Sequence, residues 1–456
     1  MASDIERERA LELLRRHGWN TTSFQTLESG FQYFFEDDAF VGYVDTGSAW
    51  VAAGAPVAAP EHLVDVANRF ESAARSVQRR ACFFAAGERF ADATTWAQLR
   101  IGDQPIWDPT RWQQKVGDVP SLRAQIKRAR NKNVVVRRAA AGELGRDAPL
   151  RRAVQNVANA WTDARDMAPM GFLVGVEPFT FANERRFYVA EQGERLVGFL
   201  SAVPIYARNG WLLEDLLRVH DAPNGTAELL IDAAMRDAAS DGARLVTLGM
   251  APLSGEIPRR LKWIRELARP LYDFGGVHAF KNKLRPDGWE PLFLLTPTRD
   301  ARWPALVESL RAFARGSLAS FALQTFVRGP PFVLAGLVAL LALWIPVLAI
   351  APSAEWFPAP WVQWSWVGFD VLLVVLLATL ARHYTHWLGV LCASLVSLDA
   401  AVTLVEALSF NVPRLDSVVG VAGTVVACAG PLLAASALWG LVRTQKEIAV
   451  RTAQSA

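Results

Sequence analysis

Phe187-Tyr188-Val189-Ala190-Glu191-Gln192-Gly193-Glu194-Arg195-Leu196-Val197-Gly198-Phe199-Leu200-Ser201-Ala202-Val203-Pro204 is the stretch on which the fold turns. Two apolar runs, Phe187 to Ala190 and Leu196 to Val203, flank Gln192-Gly193, a pair that favours a tight turn. The spacing predicts two antiparallel strands ending at Pro204. Downstream, apolar positions at helical period predict a helix from about Thr226 to Ala239, and Leu245 to Leu248 read as a further strand.

The same order occurs earlier in the chain. Ala39 to Tyr43 and Ser48 to Val57 form an apolar stretch ending at Ala55-Pro56-Val57, followed by a helical run from His62 to Arg79 and the strand-like Ala81 to Ala85. Residues 39–87 and 186–250 thus form a weak internal repeat, and two α/β units in tandem are its simplest account. Element order alone also fits other α+β folds. Between the copies lies a helical stretch, Ser121 to Lys132, with Leu122, Ile126 and Ala129 on one face and Arg123, Lys127, Arg128, Arg130 and Lys132 crowding the rest. Such a helix either grips phosphates or is a solvated amphipathic helix of no special function.

From Phe332 onward the composition becomes strongly apolar. Stretches at about 332–351, 366–381, 387–408 and 417–441 are near bilayer-spanning length, and four crossings are expected. The second is short unless it begins at Trp361; Trp356, Trp361, Trp364 and Trp366 suit an interfacial aromatic belt. Arg311, Arg315 and Arg328 precede the first span, Arg382 lies between the second and third, and Arg443, Lys446 and Arg451 follow the fourth, whereas the opposite loops hold only Arg414. This asymmetry predicts a cytosolic N-terminal region and cytosolic C-terminus. Asp399 and Glu406 stand seven residues apart on one face of the third span, marking either a polar cavity or ordinary boundary and packing positions.

The 456 residues are 52% hydrophobic with a formal net charge of +3, so several units are expected and the total charge identifies no partner. Cys82, Cys392 and Cys428 are too dispersed for a disulfide framework or a metal-ligand pair. The N-terminus carries Asp4 and Glu6 where a cleaved leader has basic residues, which predicts no secretion by that route.

Three blocks carry a resemblance. The first is Glu214-Asp215-Leu216-Leu217-Arg218 with Asp221-Ala222-Pro223-Asn224-Gly225-Thr226. The second is Leu248-Gly249-Met250-Ala251-Pro252-Leu253-Ser254. The third runs from Leu271-Tyr272-Asp273-Phe274-Gly275-Gly276 through Phe280-Lys281-Asn282-Lys283-Leu284 to Trp289-Glu290-Pro291. Over roughly Phe31 to Pro297 the chain resembles the catalytic domain of the lysyl- and alanyl-phosphatidylglycerol synthases, the multiple peptide resistance factor family. It departs in carrying its apolar helices after that domain and in having Leu217 where the family often has methionine.

The resemblance implies an α/β (α+β) fold: acetyltransferase-like units at 1–120 and 121–300, the second including the basic linking helix. An amphipathic linker at 301–330, four transmembrane helices at 331–443 and a cytosolic tail at 444–456 complete the expected layout. It also implies transfer of an amino acid from aminoacyl-tRNA to a hydroxyl of an anionic phospholipid at the inner membrane, without cofactor or metal.

Asp215 is then the candidate base or ammonium holder, the alternative being a strand-end carboxylate paired with Arg218. Arg218 clamps a lipid phosphate or merely partners Asp215 or Glu214. Asn224 and Gly225 open the following helix and offer amides to a phosphate, or serve as a routine cap. Lys281, Lys283 and Arg285 suit a headgroup or the tRNA acceptor end, or form a solvated strand edge. Arg123, Lys127, Arg128 and Arg130 are the tRNA-binding candidates. His220 and His278 lie beside these blocks, with ordinary surface or core roles as the alternative.

Two other readings remain. An acyl-CoA-dependent acyltransferase on the same fold is disfavoured because Gly171 and Gly175 make a poor pyrophosphate loop. A non-catalytic lipid sensor is disfavoured by retention of Asp215, Arg218, Lys281 and Lys283.

Overall fold

The computed structural model describes residues 2–454 apart from 164, 166, 269–271, 329, 353–355 and 415–417. Leu271 of the third block and residue 417 of the fourth apolar stretch therefore lie outside the described residues. The chain divides into two compact units, Met1–Ala164 with Pro169–Leu318, and Arg165–Ala168 with Ala319–Ala456.

The first unit is built on one mixed sheet. Its strands are β1 Gln32–Glu36, β2 Ala39–Asp45, β3 Ala49–Ala53, β4 Arg80–Gly87, β5 Ala97–Trp107, β6 Val134–Ala139, β7 Arg186–Gln192, β8 Arg195–Ile205, β9 Gly210–Arg218, β10 Leu245–Thr247, β11 Ala251–Pro252 and β12 Gly288–Thr296. Their order is β1-β2-β3-β4-β12-β5-β10-β9-β8-β7-β6, with β11 beside β5.

The repeat expected from sequence is present. β3 and β4 are parallel and joined through the helix Leu63–Ser76; β9 and β10 are parallel and joined through the helix Thr226–Ser240. The expected hairpin is β7–β8, with Gln192 opposite Arg195 and Gly193 at φ +62°, a conformation glycine supplies without strain. β8 is buried on both faces, which explains why its sequence reads as a nearly continuous apolar run. The halves are interlocked: β12, last in sequence, inserts antiparallel between β4 and β5, and β5 pairs with β10.

The basic stretch forms the helix Pro120–Asn131, with proline in its first turn. Leu122, Ile126 and Ala129 are buried against Leu229 and Leu230, and burying a leucine or isoleucine side chain contributes about 1.5–3 kcal/mol. The helix runs so close to Gly225 that a Cβ there would stand 2.0 Å from the Gln125 carbonyl oxygen.

The second unit is helical. Pro330–Ile350, Pro360–Arg382, His386–Glu406 and Val418–Gln454 overlap the four apolar stretches, and the second does begin before Trp361. Among the described residues, three segments are long and apolar enough to cross a membrane: Pro360–Arg382, His386–Arg414 and Gly423–Arg443. Leu334–Ile350 is shorter over its described residues. Leu334, Leu373, Leu377, Cys392, Val396 and Leu438 pack in the interior, while Leu343, Ile350, Val405 and Leu433 remain exposed, an arrangement suited to hydrocarbon surroundings.

Candidate active site

The first block acquires its geometry from an irregularity between β8 and β9. Ser201 pairs with Asp215 but Ala202 pairs with Leu213, leaving Glu214 as an extra residue on β9. Such a bulge breaks the strict alternation of side chains. Glu214 and Asp215, adjacent in sequence, both have side chains only 5% exposed, and both lie near the same arginine.

That arginine is Arg185, whose side chain is 0% exposed. It ion-pairs with Glu214, approaches Glu28 Oε1 at 3.4 Å and Asp215 Oδ2 at 3.9 Å, and donates from Nε to the Thr180 carbonyl at 2.7 Å. The Ser201 hydroxyl donates to Asp215 Oδ2 at 2.8 Å. Three buried carboxylates thus surround one guanidinium. Glu214 Oε1 is buried with no hydrogen-bond partner among the described residues.

Removing anions from water favours their protonated forms, and like charges reinforce the effect. Burial, then the charge of Glu214, pushes the Asp215 carboxyl up to about 7, with Arg185 and the Ser201 hydroxyl opposing. The same two causes raise Glu28 well above the ordinary range. A carboxyl near neutrality is suited to exchanging a proton with a hydroxyl, and an excess of buried acidic oxygens is suited to receiving an ammonium.

A solvent-open hollow of about 470 Å³ adjoins this cluster through Thr180. Arg7, Arg151, Gln155, Glu177, Phe179 and Phe181 line it. The Arg151 guanidinium lies 4.0 Å from the centre of the Phe179 ring, and Arg7, 5.3 Å from the Phe181 ring, also donates to the Leu27 carbonyl at 2.9 Å. Both cations are therefore held in place at the wall of the hollow. Glu177 accepts from the Ser29 amide at 3.1 Å, joining the 27–29 segment to the hollow's wall.

The other residues singled out from sequence stand elsewhere. Arg218, three residues beyond Asp215, is exposed and makes no ion pair among the described residues; alternation along β9 turns it to the sheet face that carries the helix Thr226–Ser240. The Asp215–Arg218 pairing considered above does not occur, because Arg185 and Ser201 take that position. Asn224 is exposed, and Gly225, not Asn224, precedes the helix, at φ +95° and without a side-chain cap.

Lys281 and Lys283 lie on the helix Phe274–Lys283, not on a strand edge. The Lys281 Nζ donates to the carbonyls of Leu248, Gly249 and Met250, each at 2.8 Å, tying the second block to the third. Burial pushes this ammonium down to about 7, while three carbonyl acceptors match the three donors that only the protonated form possesses. Lys283 pairs with Glu228 at 2.9 Å, and Arg285 is exposed at φ +52° with its carbonyl accepting from Lys115. Arg123, Lys127, Arg128 and Arg130 are all exposed; Arg130 also reaches buried Asp232 at 3.0 Å. His278 stacks on Trp289 at 4.7 Å.

Asp215 therefore clusters with Glu28, Arg185 and Ser201, while Glu177, Arg7 and Arg151 line the adjoining hollow; sequence reasoning passed over all of these. Ser201, a lone hydroxyl inside an apolar strand, was the available signal.

The model of the family described as phosphatidylglycerol lysyltransferase, C-terminal, matches residues 11–296. An uncharacterized protein of Corynebacterium glutamicum is 22% identical over 306 residues, covering 62% of this chain and 38% of the relative. The lysylphosphatidylglycerol biosynthesis bifunctional protein LysX of Mycolicibacterium vanbaalenii is 24% identical over 206 residues, covering 43% of this chain and 18% of that protein. The chain thus spans well under half the length of these relatives. The solved structure of L-PGS from Bacillus licheniformis superposes with a TM-score of 0.59 at 19% identity, covering 68% of this chain and 96% of that one, which establishes a shared fold. With the matched segment running from the first helix through the last strand of the sheet, the chain belongs to the phosphatidylglycerol lysyltransferase C-terminal family.

Proposed function

We propose that the first unit transfers an aminoacyl group from aminoacyl-tRNA to a hydroxyl of a membrane lipid, with phosphatidylglycerol as acceptor, at the cytosolic face of the membrane. The carrying observation is the surplus of buried carboxylate around Arg185, with Glu214 Oε1 unpartnered. A cation is the ligand such a pocket lacks, and the ammonium of an esterified amino acid supplies one.

In this reading ionised Asp215 takes the proton from the lipid hydroxyl, whose oxygen attacks the ester carbonyl. The new carbon–oxygen bond forms as the bond to the ribose oxygen breaks, and that oxygen leaves with a proton. One ester replaces another, so no further energy source is required. Glu28 and Glu214 hold the ammonium; Arg7 and Arg151 receive anionic oxygens in the hollow. The exposed cations Arg123, Lys127 and Arg128, with Arg218 and Arg285, supply a surface for the tRNA and lipid phosphates. The positive-inside asymmetry of the apolar helices supports a cytosolic first unit.

The test uses the full chain in phosphatidylglycerol vesicles with radiolabelled lysyl-tRNA and, separately, alanyl-tRNA. Label extracted with lipid from at least one donor, abolished by Asp215→Asn, is expected. Absence of lipid label from both donors, with folded protein, overturns the activity.

A further inference from the structure

The second unit has a half-open cavity of about 630 Å³ among its long helices. Leu340, Trp344, Leu373, Val396 and Leu433 contribute to a largely apolar wall. Asp370, Asp399 and Glu406 interrupt it, and no lysine, arginine or histidine occurs among its described lining residues.

Helix geometry brings these acids to one seam. Trp366 Nε1 donates to Glu406 Oε2 at 2.9 Å, fixing the level at which Pro360–Arg382 meets His386–Glu406. The short connection between these helices makes them antiparallel neighbours. Asp370 follows Trp366 by about one turn and Asp399 precedes Glu406 by about two, so both acids lie in the same direction along the seam.

Local donors do not satisfy the acids. Asp399 accepts from Thr403 at 3.2 Å, but Glu406 Oε1 and Asn411 Oδ1, which also line the cavity region, are buried without partners among the described residues. Asp370 is 5% exposed and makes no hydrogen bond or ion pair among the described residues. Buried acceptors in an apolar wall call for a donor brought by a ligand.

We propose that this cavity is a binding site for an ammonium-bearing lipid, whose chain lies along the apolar wall while its N–H groups donate to Asp370, Asp399 and Glu406. A bare metal ion would leave the apolar volume unused, and an anionic headgroup would meet like charge. This site is independent of the transfer reaction, and its assay contains neither tRNA nor phosphatidylglycerol.

The immobilised full chain in detergent is loaded with oleylamine or oleyl alcohol, which differ in the ammonium, and retained ligand is quantified by mass spectrometry after washing. Oleylamine retention at least tenfold above the alcohol is expected, falling to within twofold in the Asp370→Asn, Glu406→Gln variant. Ala434→Trp, which keeps every acid and fills space beside the cavity wall, provides a second variant and removes retention of both ligands. Equal retention by the unaltered chain, an ammonium preference that survives in the double variant, or undiminished oleylamine binding to Ala434→Trp overturns the proposal.

Discussion

Ser201 and Asp215 face each other across β8 and β9 with a 2.8 Å hydrogen bond, and the extra residue beside them places Glu214 in the same buried cluster. This relationship brings a carboxyl near neutrality beside a second, unsatisfied carboxylate. The consequences are open to measurement.

Asp215→Asn keeps the side-chain volume but removes the proposed base. Lipid aminoacylation is expected to fall by about 10²–10⁴-fold, the ordinary contribution of a general base, with circular dichroism and gel filtration unchanged. A loss of less than about threefold contradicts the role.

The pH dependence has a defined sign. The proposed mechanism requires ionised Asp215, so kcat/KM should rise with pH and level off above a midpoint of about 7. Glu214→Gln removes the neighbouring charge that raises Asp215 and should move the midpoint to lower pH. The stability effect runs oppositely: because the folded group binds its proton more tightly than the unfolded group, its stabilising contribution is complete below about 4 and is lost as pH rises through about 7. Wild type minus Asp215→Asn stability should therefore decline across that window in urea titrations.

Arg185→Met leaves three buried carboxylates without their cation. Breaking a buried ion pair in this way costs about 3–5 kcal/mol, so a large drop in urea midpoint is expected at pH 8. Partial recovery at pH 5, where the carboxyls take up protons, distinguishes charge exposure from lost packing.

Gly225→Ala should destabilise the first unit by about 1–3 kcal/mol or more, since the residue sits at φ +95° and the added methyl would press on the Gln125 carbonyl. Chemical denaturation measures this directly, and a neutral substitution would contradict the close packing of the basic helix.

Replacing Arg123, Lys127 and Arg128 together with alanine should weaken tRNA binding and lower the magnitude of the log affinity against log salt slope by about 2–3. An unchanged slope would remove these residues from the tRNA surface.

Much of the fold was legible because it depends on local patterns. The Gln192-Gly193 turn, the two crossover helices and the face of Leu122, Ile126 and Ala129 each declare themselves within a short window. Insertion of β12 between β4 and β5 was not legible, since pairing across some 200 residues leaves no local periodicity. The site followed the same division. Asp215 belonged to a readable block, but Glu28 and Arg185 reach it only through tertiary packing, and the bulge that redirects Glu214 has no glycine or proline to announce it. Lys281 looked like a free cation because its three carbonyl partners are backbone atoms, which are chemically identical throughout the sequence.

The central claim is that this buried acidic cluster serves lipid aminoacylation. Mass spectrometry of polar lipids from cells expressing the intact chain or Asp215→Asn tests it most directly. The account predicts phosphatidylglycerol species heavier by one aminoacyl residue with the intact chain and their loss with the variant. Identical lipid profiles from folded, membrane-inserted proteins, with no aminoacylated species in either, would contradict it.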